Sequence, residues 1–125
     1  MKGTLLNDFF EIIGQEETEN TLNTTIKIRA NHRIFEGHFP DRPITPGVCI
    51  MQIAKEILMQ RTQHNLLMVE SSNIKFLKPI DPRENDIIVV SISYLSKITH
   101  IPVVVTVGYD TNIFCKFQAL YNVIS

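Results

Sequence analysis

The chain has little of what marks the commonest function classes. Its 125 residues carry a formal charge of −1, and no long run of lysine or arginine interrupts that balance. Neither bulk nor local charge therefore draws it to nucleic acid. No apolar run approaches the roughly 20 residues that cross a bilayer. The start, "MKGTLLNDFFEIIGQEE", meets acidic residues too early for a secretory signal. Only two cysteines are present, Cys49 and Cys115, without a CxxC spacing; they read as small buried hydrophobes in a reduced compartment. A Gly-rich phosphate loop, a GxSxG elbow and a Cys/His pairing of known spacing are all missing. The composition, 44% hydrophobic and 20% charged, is that of an ordinary soluble globular chain. With no repeat, linker or low-complexity tract, residues 1–125 are expected to form one cytoplasmic domain with a real core.

What the sequence does have is alternation. "TTIKIRA" sets Ile26, Ile28 and Ala30 on one face, as in a half-buried strand. "DIIVVSISYL" does the same with Ile88, Val90, Ile92 and Tyr94. "IPVVVTVGY" and "NIFCKFQALYNVI" repeat the pattern, the last with Ile113, Cys115, Phe117, Ala119 and Tyr121. The turn-rich "DPREND" and "YDTN" fall between these runs. Two earlier strands cover roughly Phe9–Thr18 and Leu22–Ala30. One segment, Pro46 to about Gln60, predicts a helix, with Thr45 as N-cap and Pro46 at the first helical position. Its apolar residues surround most of the circumference, which predicts burial on several sides. The order is two strands, a loop, a buried helix and four strands, an α+β arrangement.

The loop before the helix, within "FEGHFPDRPITPGVCIMQIAKE", holds the chemistry. His38 follows a glycine that permits a bend, and Phe39 and Pro40 offer a stiff apolar wall. A partly desolvated imidazole in such a setting is suited to taking and returning a proton. Gly47 in "TPGV" presents a backbone N–H at the positive end of the helix, with no side chain in front of it. That arrangement fits a carbonyl oxygen on which charge develops. A base plus such a donor is the equipment for enolising a thioester or ketone. Gln52, five residues on, cannot act as a second acid, because its amide does not titrate. Glu56, one turn further along the same face, could in principle substitute as that acid, but it is read as lying at the helix's polar end. His32, Glu36 and His38 match no common zinc spacing; His32, His64 and His100 are taken as surface or structural.

These residues carry a family likeness. "FEGHFPDRPITPGV" resembles the signature F-x-G-H-F-P-x-x-P-x-x-P-G-V of the β-hydroxyacyl-acyl carrier protein dehydratases, which is followed by an acid. "SSNIKFLKPIDPREND" resembles their next segment, K-F-x-x-P-[IV]-x-P-G-D. The resemblance implies a hotdog fold, an antiparallel sheet of about six strands wrapped around one central helix. It further implies dimers joined edge to edge, with two sites formed across the interface. In that reading His38 takes the α-proton, Gly47 holds the thioester carbonyl, and the acid from the partner's helix has Gln52 as its counterpart here. Phe39, Pro40 and Val48 would line the tunnel for the acyl chain. The implied activity is elimination of water from (3R)-hydroxyacyl chains on acyl carrier protein, in fatty-acid or related biosynthesis. The alternative is a non-catalytic acyl-binding or heterodimer subunit of the same fold. A thioesterase fits less well, since it also needs a carboxylate to activate water. The acyl group would arrive on the carrier's phosphopantetheine arm, so no bound cofactor or metal is implied. The acidic carrier would dock on Lys75, Lys78 and Arg83, with Lys97 nearby. Homodimer, heterodimer and higher assemblies all fit.

Overall fold

The structure, a computed structural model, describes residues 4–36 and 44–125. Six strands and one long helix follow the order read from the alternation: β1 (Phe10–Thr18), β2 (Thr21–Ile28), α1 (Gly47–Thr62), β3 (Leu66–Phe76), β4 (Ile87–Tyr94), β5 (His100–Tyr109) and β6 (Asn112–Val123). A 3-10 turn, Arg33–Phe35, lies between β2 and α1. The strands form one sheet in the order β1-β2-β4-β5-β6-β3, and every neighbouring pair is antiparallel.

Period-2 alternation fixes which face is buried. Leu22, Ile26 and Ile28 of β2, Ile88, Val90 and Ile92 of β4, and Ile101, Val103, Val105 and Val107 of β5 all point inward. Their common partner is α1, which buries Ile50, Ile53, Ala54, Ile57 and Leu58. A central helix wrapped by a six-stranded antiparallel sheet is the predicted α+β hotdog arrangement. The helix ends as its sequence allows, with Gln63 left-handed (φ 60°) and its N–H returned to the Met59 carbonyl.

Two local expectations need correcting. Ile113 does not join the inward row of β6; it is 38% exposed, while Phe114 and Cys115 are both buried. The cause is a bulge: Val107 pairs with Cys115 but Gly108 with Ile113, leaving Phe114 as an extra residue on β6. The helix also begins one residue later than predicted. Pro46 is the N-cap, extended at φ −61°, ψ 144°, and Thr45 makes no capping bond. Thr45 is instead held by its backbone, whose N–H donates to Ile80 O at 2.9 Å. That bond, with the bias of a residue preceding proline, keeps Thr45 extended and moves Gly47 to the first helical position.

Candidate functional site

The start of α1 is open. Pro46 O accepts from Cys49 N at 3.0 Å and Ile50 N at 3.2 Å, whereas the N–H groups of Gly47 and Val48 meet no acceptor among the described residues. They lie at the positive end of the helix dipole. Glycine at position 47 has a packing reason as well: a Cβ there would sit 2.6 Å from Cζ of Phe76. The Phe76 ring, on β3 and 55% exposed, thus lies directly over the first helical turn. Thr45 Oγ1 is buried close by with no hydrogen-bond partner among the described residues.

Along α1 the i, i+4 line of Val48, Gln52 and Glu56 passes from open to sealed. Val48 is 76% exposed, Gln52 is half-buried, and Glu56 is 5% exposed. Glu56 is therefore not at a polar end, contrary to the sequence reading. Its Oε1 accepts from Leu5 N and Leu6 N, and its Oε2 from Leu5 N and from Gln52 Nε2, each at 2.8 Å. The chain before β1 is clamped to the helix through this carboxylate. Burying a charge this deeply is tolerable because every donor around it is aimed at it. The same bonds occupy the carboxylate, so it does not stand in for an acid at position 52.

His38, Phe39 and Pro40 lie outside the described residues. What precedes them is firmly held. His32 accepts from Ile34 N through Nδ1 at 3.0 Å, its Nε2 bonds Asp8 Oδ2 at 3.0 Å, and its ring meets Phe9 edge-on at 5.2 Å. His32 is thus structural, as expected. Its bond to Asp8 lowers that carboxyl below its ordinary value of 3.8. The chain is anchored at buried Phe35 before residues 37–43 and at buried Thr45 after them.

The predicted basic residues are less free than the sequence implied. Lys78 Nζ donates to Asn112 Oδ1 at 2.7 Å, and Arg83 pairs with Asp81 at 3.2 Å. Lys75 is exposed, and its cross-strand partner is another exposed lysine, Lys116. Sequence reasoning misplaced Glu56 and missed Phe76 and Lys116. Only Glu56 left a signal, as a lone acid flanked by Ile53, Ala54, Ile57 and Leu58.

Among the described residues, no group of three or more His, Cys, Asp or Glu is placed to hold a metal ion. Two surface hollows, of about 590 and 500 Å³, are lined by neither Gly47, Val48 nor Gln52. Within one chain, these residues present an open face.

Comparison with known proteins bears on this arrangement. Curated relatives include the 3-hydroxyacyl-[acyl-carrier-protein] dehydratases FabZ of Bartonella henselae, 37% identical over 86 residues, and of Agrobacterium fabrum, 32% identical over 85 residues. Each match covers 62% of this chain, which spans about half (53%) the length of either relative. Among solved structures, the dehydratase heterocomplex ApeI:P from Xenorhabdus doucetiae superposes with a TM-score of 0.71 at 15% identity, covering 89% of this chain and 96% of that one. A hypothetical thioesterase with coenzyme A from Streptococcus pneumoniae gives 0.64 at 14% identity, covering 93% and 86%. At such identities these likenesses establish the hotdog fold alone. The family model for ApeI-like proteins, described as ApeI dehydratase, matches residues 14–104. The chain therefore belongs to the ApeI-like dehydratase family.

Proposed function

We propose that this chain is a dehydratase subunit that acts in the cytoplasm on 3-hydroxyacyl thioesters delivered by acyl carrier protein, with its sites completed by a second hotdog chain along the β3 edge. The observation that carries the reading is the start of α1: a Gly47 N–H with no acceptor among the described residues, and Gln52 further along the same helix, neither residue lining either of the two hollows. The family assignment supports the reaction class, and the sequence around His38 supplies the base.

In this reading, His38 removes a proton from the carbon next to the thioester carbonyl. The electron pair moves onto the carbonyl oxygen, where the Gly47 N–H stabilises the charge. Such a donor is worth roughly 10²–10³-fold in rate. Collapse of the enolate forms the carbon–carbon double bond and expels the β-hydroxyl, which leaves as water once an acid protonates it. Phe39, Pro40 and Val48 line the acyl path. Carrier docking falls mainly to Lys75, since Lys78 and Arg83 have intramolecular partners.

A second reading has its own observation. Gln52 does not titrate, and the carboxylate of Glu56 is taken up by Leu5, Leu6 and Gln52. Among the described residues of α1 the expulsion step therefore lacks its usual acid, a loss of roughly 10²–10⁴-fold. A partner chain whose helix carries Glu or Asp would complete one of the two composite sites. The structural neighbour ApeI:P is a dehydratase heterocomplex, which supports looking for a partner chain here.

The deciding experiment is turnover of a 3-hydroxyacyl-carrier substrate by the purified chain beside His38→Ala and Gln52→Glu. A dehydratase working without its usual acid turns over slowly, loses activity with His38→Ala and gains it with Gln52→Glu. A partner-dependent subunit is silent alone and gains activity only with Gln52→Glu or a second hotdog chain. Silence of every variant and mixture rules out both readings.

A further inference from the structure

We infer that Glu56 is a positioning residue: it locks the Gln52 carboxamide in one orientation and so makes Oε1 of Gln52 a fixed acceptor for the β-hydroxyl of a 3-hydroxyacyl ligand. This rests on the acyl-thioester reading above and assigns Gln52 a binding task in place of the missing acid.

A carboxamide has two ends of nearly equal size and opposite hydrogen-bonding character, and an unrestrained one turns over freely. That of Gln52 is restrained. Its Nε2 donates to Glu56 Oε2 at 2.8 Å. An ionised carboxylate only accepts, so the flipped amide would set acceptor against acceptor. Glu56 in turn is held by Leu5 N and Leu6 N, some fifty residues away in sequence, and is 5% exposed. The orientation is thus fixed by backbone donors from outside the helix. Oε1 of Gln52 has no donor among the described residues, and Gln52 shares its helix face with exposed Val48. An acceptor left unpaired is satisfied by a ligand hydroxyl and left wanting by a saturated acyl chain.

The test compares binding of two pantetheine thioesters of equal acyl length, one bearing a 3-hydroxyl and one lacking it, to the purified protein. The wild type should prefer the hydroxylated ligand by about 5- to 10-fold, the range of one neutral hydrogen bond. Glu56→Gln lets the amide turn, and the preference should fall at least about twofold, since only part of the population then presents Oε1, with affinity for the saturated ligand unchanged. Gln52→Met leaves Glu56 and its backbone partners in place and should erase the preference, which covers the case where Glu56→Gln fails to fold. The double variant Gln52→Glu with Glu56→Gln should restore it, because a carboxylate accepts whichever way it turns. Proton NMR of the Gln52 side-chain amide supplies a ligand-free readout: one amide proton exchanges slowly in the wild type and rapidly in Glu56→Gln. A hydroxyl preference undiminished in either single variant overturns the proposal, as does a freely exchanging Gln52 amide. If the amide is locked yet neither thioester binds, the lock stands, and the acyl-binding reading fails together with the role given to Oε1.

Discussion

The two edges of the sheet are built on opposite plans. β1 has a bulge between Ile12 and Gly14 and carries Glu11, Glu16 and Glu17. Glu17 is tied inward, accepting from Arg61 Nε and Tyr94 Oη at 3.0 Å each. Charge and irregularity of this kind blunt an edge against pairing with another strand. β3, at the other end, is irregular twice, with shifts between Met68 and Glu70 and between Ser72 and Lys75. Yet its exposed residues include Leu67, Val69, Ile74 and Phe76, with Leu77 just beyond. These exposed apolar side chains, interspersed with Glu70, Ser71, Ser72, Asn73 and Lys75 and set beside an open helix start, mark a mixed edge of the kind a partner covers. The difference agrees with the assembly proposed above, in which β1 is finished within the chain and a second chain covers β3.

The sharpest way to break this comparison is to place the same charge on both edges. Val69 and Ile13 are matched for the purpose: each sits at a register shift, and they are 46% and 50% exposed. Val69→Lys should weaken self-association or partner association at least about tenfold, since a charge is forced into an apolar contact, and activity should fall with it. Ile13→Lys should leave the assembly intact and move the thermal midpoint by less than about 3 °C. Sedimentation of both variants decides the matter; equal loss of assembly would mean that the edges are not distinct.

A smaller effect sharpens the link between the β3 edge and the helix start. A methyl group at Gly47 would meet the far end of the Phe76 ring at 2.6 Å. Since the ring is half exposed on an edge, it yields by swinging outward. Gly47→Ala should cost about 1 kcal/mol in urea unfolding and weaken association by displacing an interface side chain. In a Phe76→Ala background the same substitution should cost nothing. A full cost in that background would place the strain in the backbone of residue 47 and not under the ring.

How much of this was legible in the sequence follows from the range of each interaction. Apart from β3, the strands and α1 rest on local periodicity and appear within one or two residues of where it puts them; β3 was seen only through "SSNIKFLKPIDPREND" and begins five residues before it, at Leu66. The two thiols are buried as their isolation implied, and burial pushes that of Cys115 up to about 11. Gly47 and Gln52 fall on the helix that was expected to carry them. The misreadings are of another kind. Thr45 was assigned a cap because capping is a local rule, but its fate is set by a bond to Ile80, thirty-five residues on. Glu56 was assigned to a polar end, and the groups that make its burial tolerable are the backbone N–H groups of Leu5 and Leu6, which no local pattern announces. Phe114 turned inward because of a bulge against β5, a fact of register between strands. Arg83 is different, since its partner Asp81 stands two residues away and the pair was open to view.

The smallest predicted effect lies on the β1 side, where the finished end of the molecule relies on polar contacts. Asp8 is an exposed carboxylate whose pKa is held below its ordinary value by the hydrogen bond to His32. A carboxyl that is more acidic folded than unfolded stabilises the fold above the unfolded pKa, and that contribution is lost as pH falls through the folded one. Asp8→Asn should therefore lower the thermal midpoint slightly near pH 5, on the order of 1 °C for so exposed a pair. As pH falls through the folded pKa, which lies below 3.8, the two proteins should converge, because the wild-type carboxylate is then protonated. Convergence at low pH with separation at pH 5 would show that charge at position 8 supports the His32 anchor before residues 37–43. A gap that persists once Asp8 is protonated would show that shape at position 8 matters more than charge, and the β1 side would then be held chiefly by the packing of Phe9 against the His32 and Phe35 rings.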